Sequence, residues 1–430
     1  MSNKKLKVLL IVEQCNPDWA SVPLVGYNFF CKINNLVDAT LVTHIRNKPA
    51  LEKHPEYEKI VYLEEGNFNK QYYKIVAKIT ANGRVNWPLY NALSYPIYEE
   101  FNQQVYQKFK GKILNGDYDI VHAITPMMPR YPFKIVSVCQ QTPFILGPVN
   151  GGIPFPPGFQ ETARQEFAQF NFLRAVGRAL IPGYVETYKK ADKILAGSTY
   201  TLNMLKDLFA IPDQRIELFY ENGIASSFLK QEPKIKNSSQ INLLFVGRLV
   251  PYKCADILIE SVSRLEPKIK EKVHLTIVGD GQERKSLETK VQELQLVEKV
   301  KFVGWVDQAQ TLDYYRQADI FCFPSIREFG GAVVMEAMAC GLPCIVPNNG
   351  GIAEYVTEET GFKIEPISRE YLTEELTNKI KILVEDDHLR KSMSAKSIER
   401  AKEFEWDNKV GKIIDIYEEM LGEKGVRASA

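Results

Sequence analysis

Residues 328–343 read EFGGAVVMEAMACGLP, and this stretch is the most informative in the chain. Two glycines precede an apolar run, which predicts a helix that begins beside them. Glu328 precedes that helix, and Glu336 lies about two turns into it, close to the same face. The first amides of a helix have no partner within it, so they can bind hydroxyl or phosphate oxygens.

Glu336 stands in an apolar segment, where a buried carboxylate is costly unless it has a partner. We therefore interpret both glutamates as functional groups whose oxygens accept hydrogen bonds from sugar hydroxyls. Together with the helix amides, they suit a nucleotide-sugar.

The composition is that of an ordinary globular protein, with 45% hydrophobic and 25% charged residues among 430. That length predicts two domains. Residues 1–229 contain 25 Lys and Arg against 20 Asp and Glu, and the remainder is slightly acidic. This excess is too small and dispersed for a nucleic-acid binder. It would suit an anionic small molecule or a membrane surface, but ordinary surface variation is the favoured explanation.

Seven cysteines are spread over the chain without metal-binding spacing, and no Asp-x-Asp motif is in place in the second half, so we expect no metal. Their apolar surroundings favour a reducing compartment. The apolar run after the N-terminus is too short for a signal peptide or a membrane span. We therefore expect a soluble, cytoplasmic protein.

Short apolar runs followed by helix-like segments predict an α/β fold of two Rossmann-like, doubly wound domains facing a central cleft. The predicted strands are residues 7–12, 119–124, 144–146, 193–196, 241–246, 274–278, 301–303, 319–323 and 343–346. The predicted divisions are an acceptor domain at 1–228, a polar linker at 229–240, a nucleotide-sugar domain at 241–404, and a C-terminal helix and tail at 405–430.

Two segments interrupt the alternation and predict helical insertions in the first domain, residues 68–113 and 158–190. The second insertion places apolar groups beside arginines. Two interpretations of this segment stay open, a peripheral membrane helix and a part of the core of the first domain. Its residues are Phe167, Phe170, Phe172, Leu173, Arg174, Val176, Arg178 and Leu180. The C-terminal helix has apolar spacing, which predicts packing, and packing back across the domain junction is one arrangement that we consider.

A phosphate site is indicated where a predicted strand ends in Gly247 and Arg248 and Lys253 opens the next helix. Fixed cations and close backbone approach at a glycine suit a diphosphate. Gly279 and Gly281 also follow a strand, but residue 284 is Arg, so GxGxxG is incomplete and an NAD enzyme is disfavoured.

The second half resembles the retaining glycosyltransferases of family 4, which have the GT-B fold. The matching segments, in order, are Val246-Gly247-Arg248-Leu249-Val250 with Lys253, Val278-Gly279-Asp280-Gly281, Phe302-Val303-Gly304-Trp305-Val306, Ala318-Asp319 leading to Phe323-Pro324-Ser325, the Glu-x7-Glu block, and Gly350-Gly351 with Glu354. The first half matches more loosely at Asp119-Ile120-Val121-His122, Gly197-Ser198 and Asn222-Gly223-Ile224.

The resemblance implies a hexosyltransferase-type enzyme that uses a UDP-sugar or GDP-sugar, with no other cofactor and no metal. It implies that Arg248 and Lys253 bind the donor diphosphate, that Glu328 binds the transferred sugar, and that Glu336 binds the ribose. Donor contacts are also implied for Gly247, Trp305, Val306, Phe329, Gly330, Gly331 and Ala332. The implied catalytic set is His122, Arg248, Lys253 and Glu328.

His122 is predicted to close a strand and to project at the cleft edge. A histidine in such a place is often structural, but the resemblance implies contact with the donor sugar. The acceptor side departs from the family, because the first loop lacks the usual glycine pair. Asp18, Trp19, Asn150 and Gly151 are the acceptor contacts we consider, and packed loops explain them equally.

The resemblance further implies that the anomeric configuration is retained by front-side attack of a hydroxyl acceptor, which could be a glycan, a lipid-linked molecule or a natural product. Positioning and electrostatics then supply the catalysis. Two alternatives stay open: an epimerase or phosphorylase of the same architecture, and a nucleotide-sugar binding protein without turnover.

Overall fold

The computed structural model describes residues 5–80, 84–229 and 240–429. The chain forms two compact units, each built on one parallel sheet with helices between successive strands. Parallel strands need crossover connections, which explains the alternation of apolar runs and helices along the sequence. Two Rossmann-like units of this kind match the GT-B architecture that the sequence predicts.

The first sheet has seven strands in the order β3-β2-β1-β4-β5-β6-β7. Their bounds are β1 Lys7–Val12, β2 Asp38–His44, β3 Ile60–Leu63, β4 Ile120–Thr125, β5 Phe144–Val149, β6 Lys193–Ala196 and β7 Ile216–Leu218. Every residue of β4 and β5 is buried, as expected for central parallel strands covered on both faces.

The second sheet has six strands in the order β10-β9-β8-β11-β12-β13. Their bounds are β8 Ile241–Val246, β9 Val273–Val278, β10 Val300–Gly304, β11 Ile320–Cys322, β12 Cys344–Pro347 and β13 Gly361–Ile364. Strand order reverses between β8 and β11, and the loops that follow these strands begin the donor motifs. Ligands bind at such switch points in open α/β sheets.

The α-helices are α1 Val22–Leu36, α2 Lys48–Leu51, α3 Asn67–Thr80, α4 Trp87–Leu93, α5 Tyr95–Leu114, α6 Gln160–Gln165, α7 Leu173–Leu180, α8 Tyr184–Lys190, α9 Thr199–Phe209, α10 Ser226–Leu229, α11 Ala255–Ser263, α12 Pro267–Lys270, α13 Arg284–Glu293, α14 Gln308–Gln317, α15 Ala332–Ala339, α16 Ile352–Tyr355, α17 Arg369–Glu385, α18 Asp387–Ala401 and α19 Trp406–Ser429. Helices α3 to α8 lie in the predicted insertions, to within one residue. In the part of the chain that the structure describes, no helix is both long and apolar enough to cross a bilayer.

The two units do not follow chain order throughout. The first comprises Met1–Gly152, Phe167–Glu221 and Asp407–Ala430, and the second comprises Ile153–Glu166 and Asn222–Trp406. The start of the second predicted insertion, including α6, therefore belongs to the second unit and not to the first. The predicted C-terminal helix is α19, and from Asp407 it belongs to the first unit. The predicted linker falls almost wholly on residues 230–239, outside the described residues.

All nine predicted strands are present, with ends that differ by no more than a few residues, whereas β2, β3, β7 and β13 were not predicted. Three of these four are edge strands. An edge strand is short or partly polar because one of its sides is not covered by a neighbouring strand.

Candidate functional site

The centre of the candidate donor site is an ion pair between Lys253 and Glu328. Their side chains are 9% and 14% exposed, and the Nζ of Lys253 contacts Oε2 of Glu328. Ser325 Oγ donates a hydrogen bond to the same oxygen at 2.9 Å. The ammonium also lies 4.6 Å from the centre of the Phe323 ring, which stabilises a cation over an aromatic face. The ammonium of Lys253 is therefore nearly enclosed, and the carboxylate of Glu328 is its ion-pair partner.

Lys253 reaches this position from a short 3-10 turn, Pro251–Lys253, that follows β8. It does not open the next helix as predicted, because Cys254 caps α11. The turn brings the long side chain back over the carboxyl end of the sheet, where it is buried. Arg248, the second predicted cation, is exposed, and its guanidinium donates to the Tyr252 hydroxyl at 2.9 Å.

Two adjacent glycines of one loop hold Glu328 in place. The Gly351 amide donates to the Glu328 carbonyl at 3.1 Å. Gly350 has φ +86°, and a Cβ at that position would lie 2.1 Å from the same carbonyl oxygen. Only glycine allows this approach at low cost. The loop containing Gly350 therefore fixes the backbone from which the Glu328 carboxylate extends.

Helix α15 begins beside Glu328, as predicted. Gly331 is its N-cap, with φ +51°, and a Cβ there would lie 2.3 Å from Cγ2 of Ile352. The Gly331 backbone thus needs both the left-handed conformation and the missing side chain. The amides of the first turn have no acceptor within the helix, and they carry the positive end of its dipole. This turn, beside Phe329 and Gly330, can bind oxygen atoms of a ligand.

The loops after β8, β9 and β10 come together through their backbones. The Gly247 amide donates to the Val278 carbonyl at 2.9 Å, and the Gly279 amide donates to the Gly304 carbonyl at 2.8 Å. Gly279 has φ +133°, and a Cβ there would lie 2.0 Å from the Gly247 oxygen. Trp305, directly after Gly304, is 63% exposed. Val306 is only partly exposed.

Glu336 differs from the sequence interpretation, because its carboxylate has two protein partners. Gln308 donates to Oε1 at 2.6 Å, and the Tyr315 hydroxyl donates to Oε2 at 2.9 Å. Burial raises the pKa of Glu336, and the two hydrogen bonds oppose that shift. The predicted partner of this carboxylate is a sugar, whereas the chain itself supplies two partners. Its proposed contact with ribose requires exchange of at least one of these bonds.

His122 also lies in a different environment from the one predicted. It is inside β4 rather than at its end, and it is fully buried. One ring nitrogen is 2.8 Å from the Gly147 carbonyl and the other is 2.7 Å from the Tyr417 hydroxyl. Burial lowers the pKa of His122 to about 4. A neutral ring that donates to Gly147 and accepts from Tyr417 satisfies every polar atom, so the predicted projection toward a cleft is wrong.

The four acceptor candidates separate into different settings within the first unit. Asp18 forms an exposed ion pair with Lys53, with 2.7 Å between Oδ2 and Nζ, and Trp19 is about half exposed. The buried Asn150 side chain is engaged by Glu221, Ser198 and Thr201. It therefore positions its loop rather than presenting a free amide. Gly151 lines a cavity, which is described below.

Several residues of interest were not predicted. Ser325 was quoted only within a motif, although its hydroxyl holds Glu328. Arg327 donates to the Ile153 carbonyl at 2.8 Å, and its guanidinium lies over the Phe155 and Phe329 rings. Its position next to Glu328 in the sequence is the signal that could have indicated Arg327 as a site residue. Glu13 directly follows β1, and burial raises its pKa to about 7. A carboxylate after the first strand was a recognisable signal.

A cavity of about 470 Å³ also lies within the second unit, between α6, α11 and α13. None of the predicted donor residues lines it, although Leu249, Val250 and Pro251 do. The predicted donor groups instead occupy the loops after β8, β10 and β11. The two features are distinct.

The two Rossmann-like units have the GT-B fold, and the second unit places an enclosed lysine, a glycine-capped helix and a glutamate at the carboxyl edge of its sheet. Residues 227–400 match the family model for glycosyl transferases group 1. This segment contains all the donor groups described above.

The chain is similar over part of its length to curated glycosyltransferases. It is 29% identical over 253 residues to D-inositol 3-phosphate glycosyltransferase 2 of Catenulispora acidiphila, which covers 56% of this chain and 58% of that protein. It is 32% identical over 189 residues to the uncharacterized glycosyltransferase MJ1607 of Methanocaldococcus jannaschii, which covers 41% and 47%. The matched part thus spans about half the length of these relatives.

Solved structures share the fold over nearly the whole chain. HepE from Anabaena in complex with UDP has a TM-score of 0.61 at 18% identity, covering 96% of this chain and all of that one. Sucrose-phosphate synthase from Thermosynechococcus elongatus has a TM-score of 0.65 at 18% identity, covering 97% and 100%. At such identities the comparison establishes the fold.

Proposed function

We propose that the protein is a retaining, metal-independent glycosyltransferase that moves a hexosyl group from a nucleotide-diphosphate sugar to a hydroxyl acceptor. The single observation that carries the proposal is the nearly enclosed Lys253–Glu328 pair, which lies directly before the first turn of α15. Cations and helix amides beside a carboxylate can hold a diphosphate and a sugar at once.

In the proposed reaction, the bond between the anomeric carbon and the diphosphate oxygen breaks as the acceptor oxygen bonds to that carbon on the same face. The acceptor proton passes to a donor phosphate oxygen, and the nucleoside diphosphate leaves. Lys253 and Arg248 stabilise the charge on the leaving group, and the amides near Gly331 supply hydrogen bonds. Glu328 orients the sugar through its hydroxyls. Cationic side chains thus take the place of a metal.

The donor side is assigned as in the sequence analysis, with Glu336 on the ribose and the backbone near Trp305 and Val306 on the base. UDP-sugars are the first donors to test, because UDP is the ligand of the Anabaena neighbour. We place the protein in the cytoplasm, a setting supported by seven cysteines that form no disulfide.

A thermal-shift screen of UDP-, GDP- and ADP-sugars tests the donor assignment. We expect one nucleotide series to raise the melting temperature by several degrees, since ligand binding to the folded state stabilises it. Release of nucleoside diphosphate that needs an acceptor would distinguish a transferase from an epimerase. Binding without consumption of donor under any acceptor would favour the non-catalytic alternative, and no shift with any series would count against the proposal.

We also propose that the first unit contacts an anionic membrane surface through α3 and α7, both of which pack against α4. Phe68, Ile75 and Ile79 share one face of α3, and Phe172, Val176 and Leu180 share one face at α7. All six are exposed, from 41% to 74%. Residues 67–98 and 167–185 contain no Asp or Glu and six Lys or Arg. Apolar side chains among basic ones are what interfacial helices present to anionic lipids.

Flotation with phosphatidylglycerol vesicles tests the membrane proposal. We expect most of the protein to float at low salt, and the triple variant Phe172→Ser, Val176→Ser, Leu180→Ser to lose most of that binding. The matched control changes three exposed apolar residues elsewhere, Leu36→Ser, Leu114→Ser and Val297→Ser, and should float like the unmodified protein. Equal flotation of both triple variants, or none by the unmodified protein, would rule the contact out.

A further inference from the structure

A second candidate site lies within the first unit, at the carboxyl edge of its sheet. It is a cavity of about 210 Å³ between the loops that follow β4 and β5 and the helices α7 and α9. Met128, Pro129 and Arg130 come from the first loop, and Gly151 and Gly152 come from the second. Ligands of open parallel sheets bind beyond the carboxyl ends of the strands, so the position is that of a binding site.

The polar side of the cavity is strongly basic. Arg130, Arg174 and Arg178 line it, and no Asp or Glu is among its lining residues. Arginine is the side chain best suited to bidentate contact with phosphate or carboxylate oxygens. Three guanidinium groups around one small cavity repel each other, and an anion between them would relieve that repulsion.

Two polar atoms beside the cavity lack a hydrogen-bond partner among the residues that the structure describes. Nε of Arg174 and Oδ1 of Asn171 are buried and form no hydrogen bond. Burial lowers the pKa of Arg174, because removal from water disfavours its charged form. A buried donor without an acceptor costs free energy that a bound oxygen atom would recover. Arg174 therefore has the environment of a ligand-binding group rather than a stabilising one.

The remaining wall is apolar and close to the backbone of the β5 loop. Met204, Leu205, Leu208 and Phe209 of α9 form it, with Ala175 of α7. Gly152 has φ +88°, and a Cβ there would lie 2.3 Å from Sδ of Met204. The glycine lets α9 approach the loop closely. The cavity therefore has one basic side and one apolar side, which suits a small ligand with one charged end and one apolar side.

We propose that this cavity binds the phosphate group of the acceptor substrate. The inference rests on the proposed function, and it assigns the acceptor to the class of phosphomonoesters or phosphodiesters. Arg174 and Arg178 bind the phosphate oxygens, Arg130 contributes from the opposite loop, and the α9 wall contacts the group that carries the phosphate. A soluble sugar phosphate and the headgroup of a phospholipid share this chemistry.

Calorimetry on the full chain, with glycerol 3-phosphate as the soluble probe, tests the site. We expect Arg174→Gln and Arg178→Gln each to weaken binding at least tenfold. Arg164→Gln removes an equal charge from an exposed position of α6 and should bind like the unmodified protein. Because Nε of Arg174 is unsatisfied, Arg174→Gln should keep or raise the melting temperature, which a purely structural arginine would not do.

Vesicles that contain phosphatidic acid distinguish the two sources of phosphate. Because Arg174 is also one of the basic residues of the proposed membrane contact, Lys78→Gln is the reference for the loss of one such charge. Arg174→Gln should weaken vesicle binding more than Lys78→Gln does if the ligand is a headgroup, and no more than Lys78→Gln does if the ligand is soluble. Equal binding of glycerol 3-phosphate by Arg174→Gln and the unmodified protein would overturn the proposal, and so would binding by neither. The donor screen reports separately: phosphate binding without donor binding would refute the glycosyltransferase but keep the anion site, and the reverse would refute only the anion site.

Discussion

Replacement of Lys253 by methionine is expected to lower kcat/KM for sugar transfer at least about 100-fold, the range seen when one electrostatic donor to a developing negative charge is removed. Methionine keeps most of the length of the lysine side chain and loses its charge. The ammonium is enclosed by Glu328 and the Phe323 ring, so water cannot readily take its place. Steady-state kinetics with the donor from the thermal-shift screen provide the measurement.

The same change should also destabilise the second unit, because Glu328 would be left mostly buried without its cation. Breaking one partner of a buried pair typically costs about 3–5 kcal/mol. The double variant Lys253→Met, Glu328→Gln removes both charges and should recover most of that stability while remaining inactive. Lys301→Met, which changes an exposed lysine of β10, is the matched control and should leave both properties unchanged. Full activity of Lys253→Met would contradict the assigned role.

The buried ring of His122 should make the stability of the first unit depend on pH. Its pKa is lowered to about 4 from an ordinary value of 6.5, because burial disfavours the imidazolium. The unfolded chain therefore takes up the proton first as the pH falls. The contribution of the neutral ring is fully present above about pH 6.5 and is lost as the pH falls to about 4, by about 3 kcal/mol.

His122→Gln isolates this contribution, because glutamine can still donate to Gly147 and accept from Tyr417 and does not titrate. Burial raises the pKa of Glu13 to about 7 and lowers the pKa of Lys409 to about 7. Both groups titrate equally in the variant and in the unmodified protein. Urea unfolding at steps from pH 7 to 4, followed by hydrogen exchange of β4 peptides, measures the first unit. The stability difference should shift by about 3 kcal/mol toward the variant, and parallel pH curves would show that His122 is not the titrating group.

The strands and the donor motifs could be predicted because local sequence determines them. Residues 7–12, 193–196 and 241–246 are apolar except for Lys7, Lys193 and Asn242, and they form the strands β1, β6 and β8 with the predicted bounds. Gly331 and Glu328 lie three residues apart, so the sequence could place both of them at the N-terminus of the same helix. Edge strand β13 was missed because it is short and half polar, and turns and helices surround it on both sides.

The environments of Glu336 and His122 could not be predicted because their partners are distant in sequence. Glu336 bonds to Tyr315 and Gln308, which lie 21 and 28 residues before it on another helix. His122 bonds to Tyr417, 295 residues later. A buried polar residue has a partner in nearly every fold. Sequence alone showed that Glu336 needed a partner, and it did not show that the chain itself supplies one.

The return of α19 to the first unit determines the order in which that unit can be completed during synthesis. All strands of the second sheet leave the ribosome before Tyr417, so Nδ1 of His122 lacks its hydroxyl partner while the second unit is being synthesised. A fragment cut at residue 228 would expose the apolar surface that Ile413, Ile416 and Met420 cover. A dissection that respects the structure would instead be a permuted chain in which α19 precedes β1.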